Sequence, residues 1–166
     1  MISVYKVAVY IHVFSAIFWI GGMLFTAAVL VPASRDKLLK AKKGAFFSLI
    51  GKKFSKISWV LFGVLIVSGV TALAARGYPL SVLINEGFWQ AGFGKTLSIK
   101  LWLFAAVLII SGIHDFWLGP KAARLIDEEP HSESTRYFRK AASWAGRLNL
   151  ILGLFILYFA ISLLRG

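Results

Sequence analysis

Apolar residues along most of this chain do not alternate with polar ones. They run almost unbroken in four blocks, separated by stretches in which Lys, Gly, Pro and acidic residues gather. The first block, residues 4–32, reads VYKVAVYIHVFSAIFWIGGMLFTAAVLVP and carries one lysine near its start. It exceeds the roughly 20 residues needed to cross the hydrocarbon of a bilayer. Three further blocks cover about 57–75, 97–119 and 144–164. Lipid offers no partner to a bare N–H or C=O, so each block is predicted to be a helix that satisfies its own backbone. The expected fold is all-α: an integral membrane four-helix transmembrane bundle, a single domain over residues 1–166. The first block is too long for the apolar core of a signal peptide and lacks a small-residue cleavage site before a soluble domain.

The segments between blocks predict an orientation. Residues 33–56 hold eight Lys and Arg and residues 120–143 hold five, so 13 of the 19 lie in two loops on one side. The positive-inside rule puts those loops in the cytoplasm and both termini on the outer, periplasmic side, for a multi-pass protein of the cell inner membrane. Within the first loop, Phe46, Ile50 and Phe54 recur every four residues among lysines. That spacing predicts a basic interfacial helix over about 37–55, running into the second span along anionic headgroups. The second inner loop, with Asp127, Glu128, Glu129 and Glu133, reads as solvated. The outer loop GYPLSVLINEGFWQAGFG mixes turn residues with aromatics and predicts a short structure at the interface.

Composition supports this picture. With 58% hydrophobic and 16% charged residues and a mean hydropathy of +0.76, the chain carries more apolar surface than a soluble domain of this size could bury. Cysteine is absent, which excludes disulfides, thiolate zinc sites and covalent c-type haem attachment. The net charge of +12 would suggest nucleic acid in a soluble protein. Here the charges flank apolar spans, so topology and lipid binding account for them and nucleic acid is not an expected partner.

Candidate chemistry comes from polar residues at membrane depth. At about 1.5 Å per residue, His12 lies roughly 30 Å from the inner end of its span, Arg76 about 30 Å from Lys56, and Lys100 about 28 Å from Gly119. Three ligating or cationic side chains therefore share one outer level, which marks a functional site facing the bundle interior. His114 and Asp115, with Arg147 and Asn149 on the last span, define an inner level. His12 and His114 differ in depth by roughly 20 Å, so they are not the two axial ligands of one haem. Aligning the first and third spans on Pro32 and Pro120 sets His12 opposite Lys100; this weak repeat serves as a ruler.

His12 can ligate haem iron or copper, or simply hydrogen-bond a neighbouring helix. Lys100 and Arg76 can pair with haem propionates or snorkel to headgroups. Met23 is a weaker metal candidate as a soft copper ligand, against a role in packing. His114, also a weaker metal candidate, can relay protons with Asp115 or anchor the helix end. Trp19, Trp102 and Tyr158 can line a porphyrin or belong to the aromatic belt. Gly21, Gly22 and Gly69 read as sites of close helix approach.

The motifs HVFSAIFWIGGMLF, KKFSKISWVLFGVLIVSGVTAL and GKTLSIKLWLFAAVLIISG together resemble the CopD-type copper-resistance membrane domain over nearly the whole chain. More distantly the chain is similar to the HemJ-type protoporphyrinogen oxidases, four-span proteins with a histidine early in span one, a lysine in span three and bound haem b. That resemblance implies His12 as the haem ligand and Lys100 as its essential basic neighbour. Two functions from different classes follow. One is a redox or haem-linked protein that binds b-type haem in the outer leaflet through His12, with Lys100, Arg76, Trp19 and Tyr158 around it. The alternative is copper ion transport, in which His12 and Met23 pass an ion toward His114. A structural or assembly subunit is the third reading. The expected partners are the lipid bilayer and a redox partner or metallochaperone. A homodimer follows if the sixth iron ligand is His12 of a second protomer rather than Lys100, Tyr158 or water.

Overall fold

The computed structural model describes residues 3–34, 36 and 43–165, and within them it is helical almost throughout. Helix α1 comprises Val4–Phe25, a π-helical turn Thr26–Leu30 and a last turn Val31–Ala33. Helix α2 is Lys43–Ala75, and a 3-10 turn Leu80–Ile84 leads to the short helix α3, Glu86–Gln90. Helix α4 comprises Gly92–Ile113, a π-helical turn His114–Leu118 and Gly119–Glu128; α5 is Glu133–Arg165. Four stretches are long and apolar enough to cross a membrane: Val4–Ala33, Ala45–Ala75, Gly92–Ile126 and Glu133–Leu163. Large apolar side chains such as Phe14, Val67, Ile109 and Phe155 are exposed on all four helices. That surface is stable only with lipid as its solvent, so the chain is a multi-pass, four-helix membrane protein.

The helices outrun the apolar blocks. An apolar block marks where the chain meets hydrocarbon, whereas Lys, Ser and Phe flanks are adequate helix formers that continue the same rod through the headgroups. From Lys43 onward the basic segment expected over about 37–55 is therefore the first part of α2; its residues 37–42 lie outside the described residues. The start of α5 is set by capping: the Thr135 amide donates to the Ser132 hydroxyl at 3.1 Å. The buried Thr135 hydroxyl lies 2.6 Å from the Glu129 carbonyl and 3.1 Å from that of Leu125, tying the end of α4 to the start of α5. At the other end of the bundle, α2 stops at Gly77, whose φ of 90° only glycine adopts freely. Tyr78 and Phe93 stack with ring centroids 5.1 Å apart, and Trp89 Nε1 donates to the Leu83 carbonyl, so the outer loop is ordered by aromatics.

The bundle is built from two hairpins. Helix α1 packs along α2 and α4 along α5; α1 also touches α5, and the last segment of α4 touches α2. Between the hairpins sits the core, Trp19, Ile20, Phe62, Leu65 and Val107. The Trp19 and Phe104 rings each meet Phe62 edge-on, with centroids 5.2 and 5.8 Å away. This apolar layer crosses the bundle midway along its helices. The first and third spans repeat each other: Thr26 to His114, Leu30 to Leu118 and Pro32 to Pro120 are each 88 residues apart, so both π-helical turns keep one register.

Candidate functional site

His12 and Lys100 are also 88 residues apart, and they meet: Lys100 Nζ lies 3.4 Å from His12 Nε2. A helix places His12 on the face of α1 that continues through Ser15 and Trp19, the inward face of the bundle. Its ring is held from α2, where Ser68 Oγ lies 3.1 Å from Nδ1. Ser68 has one hydroxyl proton, and its 2.6 Å contact with the Val64 carbonyl is the shorter of its bonds, so that proton is spent there. Toward the ring Ser68 is then an acceptor. Neutral His12 carries its proton on Nδ1, and the lone pair of Nε2 accepts from the Lys100 ammonium. Gly69 makes room for this: a Cβ there would lie 3.2 Å from His12 Cε1. The Ser-Gly pair of α2 thus both holds the Nδ1 edge of the ring and leaves room for it.

A ligating histidine characteristically has its second ring nitrogen tied in this way, which fixes both tautomer and direction. Lys100 brings a positive charge to the same spot. Among the described residues no carboxylate forms an ion pair with it. An imidazole nitrogen whose one partner is an ammonium, and an ammonium without a carboxylate, together suit a ligand that would part them, offering a metal to one and an anion to the other. Ser68 also lines an apolar groove of about 640 Å³, bounded by Val4, Ala8 and Ile11 of α1 and by Gly63 and Val67 of α2.

The other outer-level candidates lie elsewhere. Arg76 sits over the Phe93 ring at 5.1 Å, on the aromatic outer loop. Trp19 is buried in the core against Phe62, about two turns deeper than His12. Tyr158 and Trp102 are exposed on the outer surface of the bundle. Met23 packs against the core, its Cε beside Gly153 of α5.

At the inner level, His114 and Asp115 occupy the π-helical turn of α4, a distortion that recurs at functional positions. His114 Nδ1 lies 2.8 Å from Asp115 Oδ1. Asp115 Oδ2 accepts from Ser55 Oγ at 2.6 Å and from Trp59 Nε1 at 3.1 Å, both on α2. One turn deeper, Asn149 Nδ2 donates to Ser111 Oγ at 2.9 Å. Arg147 turns away to lie over Trp144. Among the described residues no three His, Cys, Asp or Glu side chains converge as a metal site.

Sequence reasoning paired His12 with Lys100 by depth but missed Ser68, Ser55 and Trp59. A serine in an apolar span is common, and only its position beside Gly69 singled out the first. Depth alone could not show that Arg76 and Trp19 point elsewhere.

The family model described as Copper resistance protein D matches residues 48–163. A relative in Aquifex aeolicus (strain VF5), described as an uncharacterized protein, is 34% identical over 166 residues, spanning 100% of this chain and 99% of its own. No solved structure matches the chain.

Proposed function

This chain belongs to the copper resistance protein D family, and from that premise we propose that it is a haem-linked redox protein of the cytoplasmic membrane, with both termini outside. Its working site is the His12–Lys100 pair in the outer leaflet. The observation that carries the reading is a ring held at Nδ1 by Ser68, whose Nε2 accepts from a lysine with no carboxylate partner among the described residues. That donor set fits b-type haem: the neutral imidazole would hold the iron, and the Lys100 ammonium would pair with a propionate. The bound group would supply one-electron chemistry. The chain's own part is to orient the ring through Ser68 and Gly69, to neutralise the acid of the macrocycle with Lys100, and to keep water out with the layer below. The HemJ-type resemblance agrees with this division of roles.

Copper handling is the second reading, and the family's description favours it. The side chains favour it less. Met23 and His114 lie deeper than His12 by about 16 Å and by most of a span, so the three do not form one coordination sphere. A soft cation would also meet Lys100 with no thiolate to offset the charge. A reduced-minus-oxidised absorption spectrum of the detergent-purified protein separates the two. We expect a b-type signal in the wild type that is absent from His12→Ala. A colourless wild type that takes up Cu(I) would replace the haem reading with the copper one.

A further inference from the structure

The surface of the α1–α2 hairpin carries a second groove that the His12 site does not use. It has a volume of about 550 Å³ and runs along α1 from Ile17 through Gly21 and Phe25 to Leu30, with Ile50, Phe54 and Ile57 of α2 as its other wall. Among the described residues its one charged lining residue is Lys53, at the end where the apolar span gives way to the basic flank, and no carboxylate lines it. We propose that this groove holds an anionic phospholipid of the leaflet on the side of the basic loops, an acyl chain along α1 and the phosphate on Lys53.

Three features build the groove. The sequence reading took Gly21 and Gly22 as packing glycines, and they divide the work: Gly22 lies under the Phe54 ring, whereas a Cβ on Gly21 would meet nothing within 4 Å. Gly21 therefore leaves the floor open rather than admitting a helix. Thr26 and Leu30, four residues apart on one helix face, share the same wall, and the Thr26 hydroxyl donates to the Gly22 carbonyl at 2.8 Å, so the Thr26 hydroxyl on this wall is paired. The length also fits. From Ile17 to Leu30 the helix rises about 20 Å, enough for one acyl chain and its glycerol in a leaflet about 15 Å deep. Lys52 and Lys56 flank Lys53 on α2 and raise the local positive potential that an anionic headgroup seeks.

The inference is independent of haem or copper at His12, so the two fail separately. The test uses the delipidated full chain in detergent, with thermal unfolding followed after adding phosphatidylglycerol, phosphatidylcholine of the same chains, or inorganic phosphate. Phosphatidylglycerol should raise the midpoint by about 5 °C near saturation, and phosphatidylcholine by clearly less. Lys53→Ala, a change at an exposed position, should erase the difference between the two lipids. Gly21→Leu, which fills the floor, should abolish the response to both. Equal responses of the wild type to the two lipids, a preference that survives Lys53→Ala, or stabilisation by phosphate alone would each overturn the proposal.

Discussion

Two histidines sit near opposite ends of this bundle, each with Nδ1 tied, yet in opposite charge environments. His12 is tied to the hydroxyl of Ser68 and faces Lys100, and no carboxylate pairs with that lysine among the described residues. His114 is tied to a carboxylate, Asp115, which is itself held by Ser55 and Trp59. The outer pair is short of negative charge, and under the proposed function a ligand would bring it. The inner pair supplies its own, and with Ser55 and Trp59 it closes on itself across α2 and α4. One residue type thus meets a cation at one level and a carboxylate at the other, and the neighbours make the difference.

The largest effect on this contrast should come from the layer that separates the two levels. Phe62→Ala should cost about 3–5 kcal/mol, read from chemical unfolding in micelles; a loss near zero would mean that the two hairpins do not pack through this ring. Asp115→Ala strands the Ser55 hydroxyl and the Trp59 N–H and should cost about 1–3 kcal/mol in the same assay while the b-type spectrum persists. Loss of the spectrum with the fold intact would make the inner level part of the site. Lys100→Gln should weaken haem retention about tenfold, corresponding to about 1.4 kcal/mol, on titration of the apoprotein with haem. Ser68→Ala should cost only about 1 kcal/mol but broaden or shift the b-type band, because the ring loses the bond that orients it. Smallest in energy is a labelling pair, made simple by the absence of native cysteine: Ile84→Cys should react with an impermeant maleimide outside intact cells and Ser134→Cys should not. The reverse pattern would turn the bundle over.

Much of the architecture was legible because hydrocarbon imposes it. Uninterrupted apolar runs can only be spanning helices, so the four blocks named the four long helices. A fixed rise per residue then set His12 and Lys100 at one level, and the proline ruler that aligned them runs through two π-helical turns in matching register. Sequence depth is one-dimensional, however, and a site needs azimuth. Which way Tyr158 and Trp102 turn depends on how α4 and α5 pack, and that contact face is not marked by polarity when lipid and core are equally apolar. The helix ends were hidden for a related reason: apolar runs report where hydrocarbon stops, while Ser132 and Thr135 decide where α5 begins.

The layer of Trp19, Phe62 and Val107 also has an electrical meaning. An apolar, closely packed layer between two polar levels is the low-dielectric part of the bundle, and a transmembrane voltage falls more steeply across it than across the polar levels. A unit charge carried from the Asp115 level to the Lys100 level would move through that drop, about 2.3 kcal/mol of work per 100 mV. Charge moved between the two levels would sense that voltage, whereas charge moved within either level would not.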